Sequence, residues 1–474
     1  MTLRELMEDR GAPAVEVTDL AYSSAGVTAG ALFFCVPGFR SDGHDHAPAA
    51  IERGAAALVC ERQLSLGVPE VLVPDVRAAM GPLAARFFGY PTRRLPVVGI
   101  TGTNGKTTTA FLTRDVLEAG GLRTGLLGTV KSVVGGREQP VERTTPEAID
   151  LQRLFRRMLD GGDSACVIEV SSHALELRRA DGIDFAAQVF TNLTQDHLDF
   201  HPTLEHYFLA KRRLFEGPGA SIVNLDDSYG QRIVDEIPAA TTFAIDSPAD
   251  YRALDVSFDA AGSSFTCETP DGTIRLTTRL PGRFNVQNAL AAFAVARTFA
   301  IDPAAIASAL GAAERVPGRF EPVEEGQGFA VLVDYAHTPD SLENVLRAAR
   351  ALTGGRLHVV FGAGGDRDRT KRPLMGRVAA ALSDRAIVTS DNPRSEDPDA
   401  IVDEVMIGAP DAEREVDRAR AIAWAIDTAA PGDVVVIAGK GHEHGQEVAG
   451  GRKLPFDDVA VAREALRAAL GARR

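Results

Sequence analysis

The sequence predicts an α/β protein of three domains. These are a small α/β N-terminal domain, a central P-loop-type domain on a mostly parallel sheet with a small antiparallel insert, and a C-terminal Rossmann-like doubly wound sheet. Three observations carry that expectation. The chain has 474 residues, enough for about three domains. From residue 97 onward, short apolar runs alternate with helical patterns, the signature of parallel βα units. One glycine-rich stretch, Gly102-Thr103-Asn104-Gly105-Lys106-Thr107-Thr108, joins such a run to a helix.

The N-terminal domain is expected over residues 1–93, with strands at 31–36, 56–60 and 70–73 and a helix at 47–53. Tyr22-Ser23-Ser24 and Phe39-Arg40-Ser41-Asp42-Gly43 read as polar loops beside strands. Pro91 and Pro96 bracket a linker. The central domain, 94–318, has strand-like runs at 97–100, 124–127, 166–170, 188–191, 221–225 and 241–245. Residues 251–280 then alternate with period two around Pro270-Asp271-Gly272, which predicts the antiparallel insert. Helices are expected at 286–300 and 303–313, and Pro317-Gly318 marks the next boundary. The C-terminal domain, 319–474, has strands at 331–334, 357–361, 386–389 and 434–437. Open parallel sheets bind ligands beyond the carboxyl ends of their strands. The informative loops are therefore 334–340, 362–371, 391–397 and 439–443.

Composition narrows the function. A hydrophobic content of 45% suits sizeable cores, and a net charge of −14 argues against nucleic-acid or membrane-surface partners. A local arginine cluster can still hold an anionic substrate within a Debye length. Cys35, Cys60, Cys166 and Cys267 are scattered with no CxxC pair, which predicts buried thiols and a reducing compartment. The first residues lack a signal-peptide core, and no apolar run approaches the ~20 residues of a membrane helix, so a cytosolic location is expected.

The glycine-rich loop predicts a nest of inward-pointing amides at a helix N-terminus, which holds phosphate oxygens. Lys106 would reach the terminal phosphates and the Thr107 hydroxyl a magnesium ion, although Ile100 stands where a strict Walker A loop has glycine. Glu169 ends a strand, where it is either a metal carboxylate or a capping group. Thr191-Asn192-Leu193-Thr194-Gln195-Asp196-His197 ends the next strand-like run, and Glu169 with His197 makes a metal reading. Lys211, read bare, is a solvated lysine in a helical run at 204–215. The basic, glycine-rich loop 362–371, with Arg367, reads as a second anion site or a flexible charged turn. Asp391-Asn392-Pro393-Arg394 is a turn, and Gly439-Lys440-Gly441-His442-Glu443 closes the same edge with an acid.

Six of these stretches, in order along essentially the whole chain, resemble the Mur ligases, the ATP-dependent amide-bond ligases of peptidoglycan precursor synthesis. They are TGTNGKTT at 101–108, EVSSHA at 169–174, TNLTQDHL at 191–198, YFLAK at 207–211, DYAHTPD at 334–340 and GKGHE at 439–443. The family's TGTNGKT loop accounts for Ile100. DNPR at 391–394 matches the motif by which the diaminopimelate-adding members recognise that amino acid. Diaminopimelate differs from lysine by a second carboxylate at its far end, which a guanidinium can bind bidentately. Arg394 and Arg367 suit that carboxylate, and Glu443 suits the ammonium beside it.

The resemblance implies three substrates: ATP, UDP-N-acetylmuramoyl-L-alanyl-D-glutamate and meso-diaminopimelate. It further implies magnesium, an acyl-phosphate intermediate and a monomer. It places Gly102, Thr103, Asn104, Gly105, Lys106, Thr107, Thr108, Asn288, Arg319 and Asp334 at the nucleotide. Lys211 would be carbamylated and would hold a second magnesium with Glu169 and His197, Thr107 holding the first. Ser23, Phe39, Arg40, Ser41, Thr144, Thr145, Ser171 and Arg179 would contact the muramyl dipeptide. Arg367, Asp391, Asn392, Pro393, Arg394, Gly439 and Glu443 would contact diaminopimelate. The chain departs from the family at Arg143, where some members carry Asn, and at Leu177, where some carry a substrate-binding Gln. Two other readings share the phosphate loop: a folylpolyglutamate synthetase-like ligase and a nucleotide-dependent switch without ligase chemistry.

Overall fold

The computed structural model describes residues 1–38 and 41–472, so Phe39 and Arg40 lie outside the described residues. The chain divides into two compact units. The first comprises Met1–Thr101, Gly121–Gln188 and Ala210–Ala220; the second comprises Gly102–Gly120, Val189–Leu209 and the chain from Ser221 onward.

In the first unit, Asp19–Ala21, Ala31–Phe34, Ala57–Cys60 and Glu70–Leu72 form a parallel four-stranded sheet in sequence order. Its middle strands are buried at every position, as continuous apolar runs covered on both faces should be. Side chains alternate between the faces. Leu32, Phe34, Ala57 and Val59 pack with Leu3, Leu6, Val76 and Met80, whereas Ala31, Phe33, Leu58 and Cys60 pack with Ala47 and Ala50. A second set of strands, Val97–Thr101, Ala165–Glu169 and Thr124–Leu127, pairs in parallel in that order. The set ends in an antiparallel pair, Ser132–Val134 and Arg137–Gln139, that the sequence pattern did not reveal. The expected linker is not slack. Pro91–Arg93 is a 3-10 turn with Pro91, Thr92 and Leu95 buried, and the Thr92 hydroxyl accepts the Asp184 N–H at 3.1 Å.

In the second unit, Ala220–Asn224, Thr241–Ala244 and Tyr251–Asp259 run parallel, and Gly262–Thr269 and Gly272–Thr278 then fold back antiparallel, as the period-two pattern predicts. The mostly buried helix Arg283–Thr298 packs against Lys106–Ala119. The C-terminal sheet has six strands in the order Glu321–Pro322, Ala330–Asp334, Val434–Ala438, Leu357–Phe361, Arg385–Val388 and Glu413–Arg414, all parallel except the first pair. Helices Pro339–Ala351, Lys371–Leu382 and Pro398–Met406 cover one face, and Arg418–Thr428 and Asp458–Ala472 cover the other. Their starts are written locally: Thr338, Asp397 and Asp417 each cap a helix through the side chain.

Two buried arginines tie this sheet to its loops. Arg418 donates to both oxygens of Asp458, at 2.8 and 2.7 Å, and to the carbonyls of Ser390 and Ala438, and both members of the pair are fully buried. Removing one partner strands the other charge out of water. Arg418→Ala is therefore expected to destabilise the chain by about 3–5 kcal/mol in equilibrium denaturation, and a loss below about 1 kcal/mol would contradict this reading.

Arg372, also buried, holds Glu396 at 2.8 Å and Glu404 at 2.8 Å. Its guanidinium brings the Glu396 carboxyl down to about 2 from 4.5. A carboxyl depressed in the folded state stabilises fully above its unfolded value and loses that contribution as pH falls from 4.5 towards 2. Thermal melts across that window should fall more steeply for the native chain than for Glu396→Gln, and parallel curves would contradict the assignment.

Candidate functional site

Strand Val97–Thr101 leads directly into the loop Gly102–Gly105 and helix Lys106–Ala119. The loop accepts only glycine at two points. A Cβ on Gly102 would lie 1.8 Å from the Thr191 hydroxyl oxygen, and Gly105 has φ +85° with Asn288 Oδ1 only 2.5 Å from where its Cβ would stand. Asn192 and Thr191 brace the curl. The Asn104 N–H donates to Asn192 Oδ1 at 2.9 Å, and Thr191 Oγ1 donates to the Asn104 carbonyl at 2.6 Å. The Lys106 ammonium lies over the loop, 2.8 Å from the carbonyls of both Gly102 and Thr103. Thr107 and Thr108 are buried in the first turn, where an α-helix leaves N–H groups without intrahelical partners.

Arg319, Asp334 and Asn288 surround that turn. Arg319 Nη2 donates to Thr107 Oγ1 at 3.1 Å, and the guanidinium stacks over Tyr335 with its carbon 4.6 Å from the ring centre. Arg319 Nε is buried with no hydrogen-bond partner among the described residues, an orphan donor that a bound polar ligand would satisfy. Asp334 is buried and accepts the Phe320 N–H at 2.7 Å; burial pushes its carboxyl above the ordinary value, partly offset by Arg319. Asn288 is engaged beneath the loop rather than exposed on it. It accepts from Thr109 Oγ1 at 3.1 Å and donates to Asn285.

His197 has φ +55° and its Nε2 is 3.3 Å from Asp196. Asp196 also faces Lys371 at 3.4 Å and His337 at 3.6 Å. Burial would raise the Asp196 carboxyl, but Lys371 and the two imidazoles bring it well below the ordinary value. Asn104 Nδ2 donates to Asp340 at 2.6 Å. These links join the TNLTQDHL and phosphate-loop stretches to DYAHTPD and to the basic loop. Asp196, Lys371, His337 and Asp340 are not singled out from the sequence as members of this network, although three of them lie inside quoted motifs.

At the carboxyl ends of the C-terminal strands, one buried ammonium gathers the expected amino-acid residues. Lys440 is fully buried and reaches Asn392 Oδ1 at 2.8 Å, Glu443 Oε2 at 3.2 Å and Asp391 Oδ1 at 3.4 Å, matching its three donors. Burial would raise the Asp391 carboxyl, but Lys440 and Arg418 hold it below the ordinary value. Glu443 also accepts from Asn392 Nδ2 at 2.8 Å and from the Tyr335 hydroxyl at 3.3 Å. Gly439 lies against Asp391, whose Oδ2 would be 3.0 Å from a Cβ there. Arg394 and Arg367 both flank Gly364, and the Pro393 carbonyl lies against Gly365, so the DNPR turn and the basic loop are packed together. Arg367 Nη1 itself bonds the Asp366 carbonyl at 2.9 Å.

In the first unit, Glu147 is buried and gathers three arginines: Arg179 at 2.9 Å, Arg143 at 3.0 Å and Arg77 at 3.5 Å. The cluster carries net positive charge beside Thr145, whose carbonyl accepts from Arg179 at 3.3 Å. Thr144 bonds Thr129 at 3.0 Å. Ser171 caps the turn at Ser172–Glu176 and accepts from Thr145 Oγ1 at 3.4 Å. Glu169 is buried and takes the Thr129 N–H at 2.8 Å and its hydroxyl at 3.1 Å, so it is a capping group as well as a carboxylate. Lys211 is 1% exposed, which corrects its bare reading as a solvated helix lysine. Ser23 opens the turn Ser24–Gly26, and the Ser41 hydroxyl lies 2.6 Å from His46 Nε2.

Among the described residues, no three His, Cys, Asp or Glu side chains converge on a metal site. The expected magnesium set contains only one Glu and one His of those types; its other donors are a threonine hydroxyl and a lysine. The Thr107 hydroxyl and Glu169 carboxylate are hard oxygen donors of the kind magnesium takes, so their chemistry fits the ion. The four cysteines are buried free thiols, and no helix among the described residues is long and apolar enough to cross a membrane.

Comparison with known proteins gives a consistent result. Three family models match: the Mur ligase family catalytic domain at residues 16–88, the Mur ligase middle domain at 100–296, and the Mur ligase glutamate ligase domain at 318–441. The chain is 47% identical over 468 residues, 95% of each chain, to UDP-N-acetylmuramoyl-L-alanyl-D-glutamate–2,6-diaminopimelate ligase of Syntrophomonas wolfei. A solved structure of a ligase of that same name superposes with TM-score 0.72 at 32% identity, covering 99% of both chains. The MurF ligase of Thermotoga maritima, solved with ADP, superposes with TM-score 0.65 at 19% identity over 97% of this chain and 99% of that one, a likeness of fold.

Proposed function

The chain belongs to the Mur ligase family, and on that premise we propose how its reaction is divided among the residues described above. It is an ATP-dependent acid–amino-acid ligase with the three-domain α/β fold of that family, and it joins meso-diaminopimelate to UDP-N-acetylmuramoyl-L-alanyl-D-glutamate in peptidoglycan synthesis. The folylpolyglutamate and switch readings are set aside, because 47% identity across 95% of the chain is to a ligase of the diaminopimelate type.

The γ-carboxylate of the D-glutamyl residue attacks the γ-phosphate of ATP, giving an acyl phosphate and ADP. An amine of diaminopimelate then attacks the carbonyl, the new amide forms, and inorganic phosphate leaves with the former carboxyl oxygen. The protein's tasks are positioning and charge stabilisation. The amide cup at Gly102–Gly105 and the Lys106 ammonium hold the phosphates, and Arg319 supplies a further cation. Thr107 is assigned to one magnesium, and Glu169, His197 and carbamylated Lys211 to a second; bound magnesium would neutralise phosphate charge. Ser23, Ser41, Thr144, Thr145, Ser171 and Arg179 are assigned to the muramyl dipeptide, the arginine cluster on Glu147 favouring its anionic groups. The four buried thiols suit a reducing compartment, and we place the reaction in the cytoplasm, carried out by a monomer.

The observation that carries the amino-acid half is the Lys440 hub, which gathers Asp391, Asn392 and Glu443 beside Arg394. The test is product formation. The chain with ATP, the muramyl dipeptide nucleotide and 2,6-diaminopimelate should release ADP in step with a tripeptide nucleotide detected by mass spectrometry. ADP release without that product would overturn the reading.

A further inference from the structure

We propose that Glu447 is the positioning residue that aims Arg394. This rests on the assignment of Arg394 to diaminopimelate. Glu447 lies on a short strand, Gln446–Val448, paired antiparallel with Arg452–Leu454. That strand straps the DNPR turn. Gln446 Nε2 donates to the Asp391 carbonyl at 2.7 Å and to the Ser390 hydroxyl at 3.1 Å. The Glu447 N–H donates to Asn392 Oδ1 at 2.9 Å, and the Arg394 N–H donates to the Glu447 carbonyl at 3.0 Å. The Glu447 carboxylate then takes Arg394 Nε at 2.8 Å. One residue thus holds both Asn392 and Arg394, by backbone and by side chain.

Arg394 needs such a hold. Its φ is +53°, a left-handed conformation that a side-chain-bearing residue rarely adopts. Its guanidinium is fixed at two points, Nε on Glu447 and Nη1 on the Gly365 carbonyl at 2.7 Å. An arginine has five N–H donors, so three remain on the Nη edge for a carboxylate. By taking Nε, Glu447 fixes the plane without occupying that edge. The Glu447 side chain is 46% exposed and lies beside the cation it orients. A lysine tail brings an ammonium alone and meets Arg394 with like charge, which discriminates against it.

The test compares Arg394→Ala, Glu447→Ala, Glu447→Gln and the Arg394→Ala/Glu447→Ala double variant, each by KM for diaminopimelate, KM for ATP and kcat. Glu447→Ala should raise the diaminopimelate KM about tenfold, equivalent to ~1.4 kcal/mol, with the ATP KM unmoved. Glu447→Gln, which keeps an oxygen for Nε, should restore most of that loss. The double variant should be no worse than Arg394→Ala, because Glu447 acts through Arg394. If Arg394→Ala raises the diaminopimelate KM while both Glu447 variants leave it unchanged, or if the two effects add, the role of Glu447 is overturned. If Arg394→Ala itself leaves that KM unchanged, the assignment beneath it fails instead.

Discussion

Lys106→Ala is expected to slow ATP-dependent ligation on the order of a thousandfold while leaving the fold intact, because we assign the lysine to the transferring phosphate, where charge is moved. Its ammonium lies 2.8 Å from two carbonyls of the loop, directly over the cup that the glycines shape. The loop does not depend on it for shape. Thr191 and Asn192 brace the curl from outside, and Asn288 supports it from below. The effect should therefore appear in kcat with an unchanged melting temperature. A variant retaining more than a tenth of native turnover would refute the role.

Arg394→Ala is expected to raise the KM for diaminopimelate about a hundredfold, with little change in the KM for ATP. A charge-assisted bond is worth about 1.5–3 kcal/mol, and about 2.7 kcal/mol corresponds to that factor. The selectivity of the change carries the weight. Arg394 sits in a turn strapped by Gln446 and Glu447 and packed on Gly364, whereas Arg319 and Asp334, which we propose for the nucleotide, make their own contacts elsewhere in the unit. Equal rises in both constants would mean that the substitution had disturbed the loop rather than removed a ligand. Arg394→Lys should recover little, since an ammonium cannot offer the planar fork.

The fold class was legible because its signals are local. Val434–Ala438 and Ala31–Phe34 are apolar without a break, as covered parallel strands must be, and the insert after Tyr251 alternates as a half-exposed antiparallel strand does. The two-residue edge strands Glu321–Pro322 and Glu413–Arg414 are too short to show any period. The candidate site divides along the same line. The phosphate loop announces itself in seven consecutive residues. Lys440 does not, because its burial depends on Asp391 and Asn392, which arrive from almost fifty positions earlier in the chain. Lys211 looks like any helix lysine until packing buries it, and Glu447 belongs to no motif. Charged residues in a core are legible only with their partners in place, and those partners are distant in sequence.

We propose that a guanidinium held in the DNPR turn chooses the amino acid that captures the activated glutamyl carboxyl. The most direct measurement is phosphate release from ATP with the muramyl dipeptide nucleotide, comparing 2,6-diaminopimelate with L-lysine as the acceptor. Release is expected to depend on diaminopimelate, with lysine near the no-acceptor rate in the native chain and the gap narrowed in Arg394→Ala. Equal kcat/KM for the two acceptors in the native chain would contradict it.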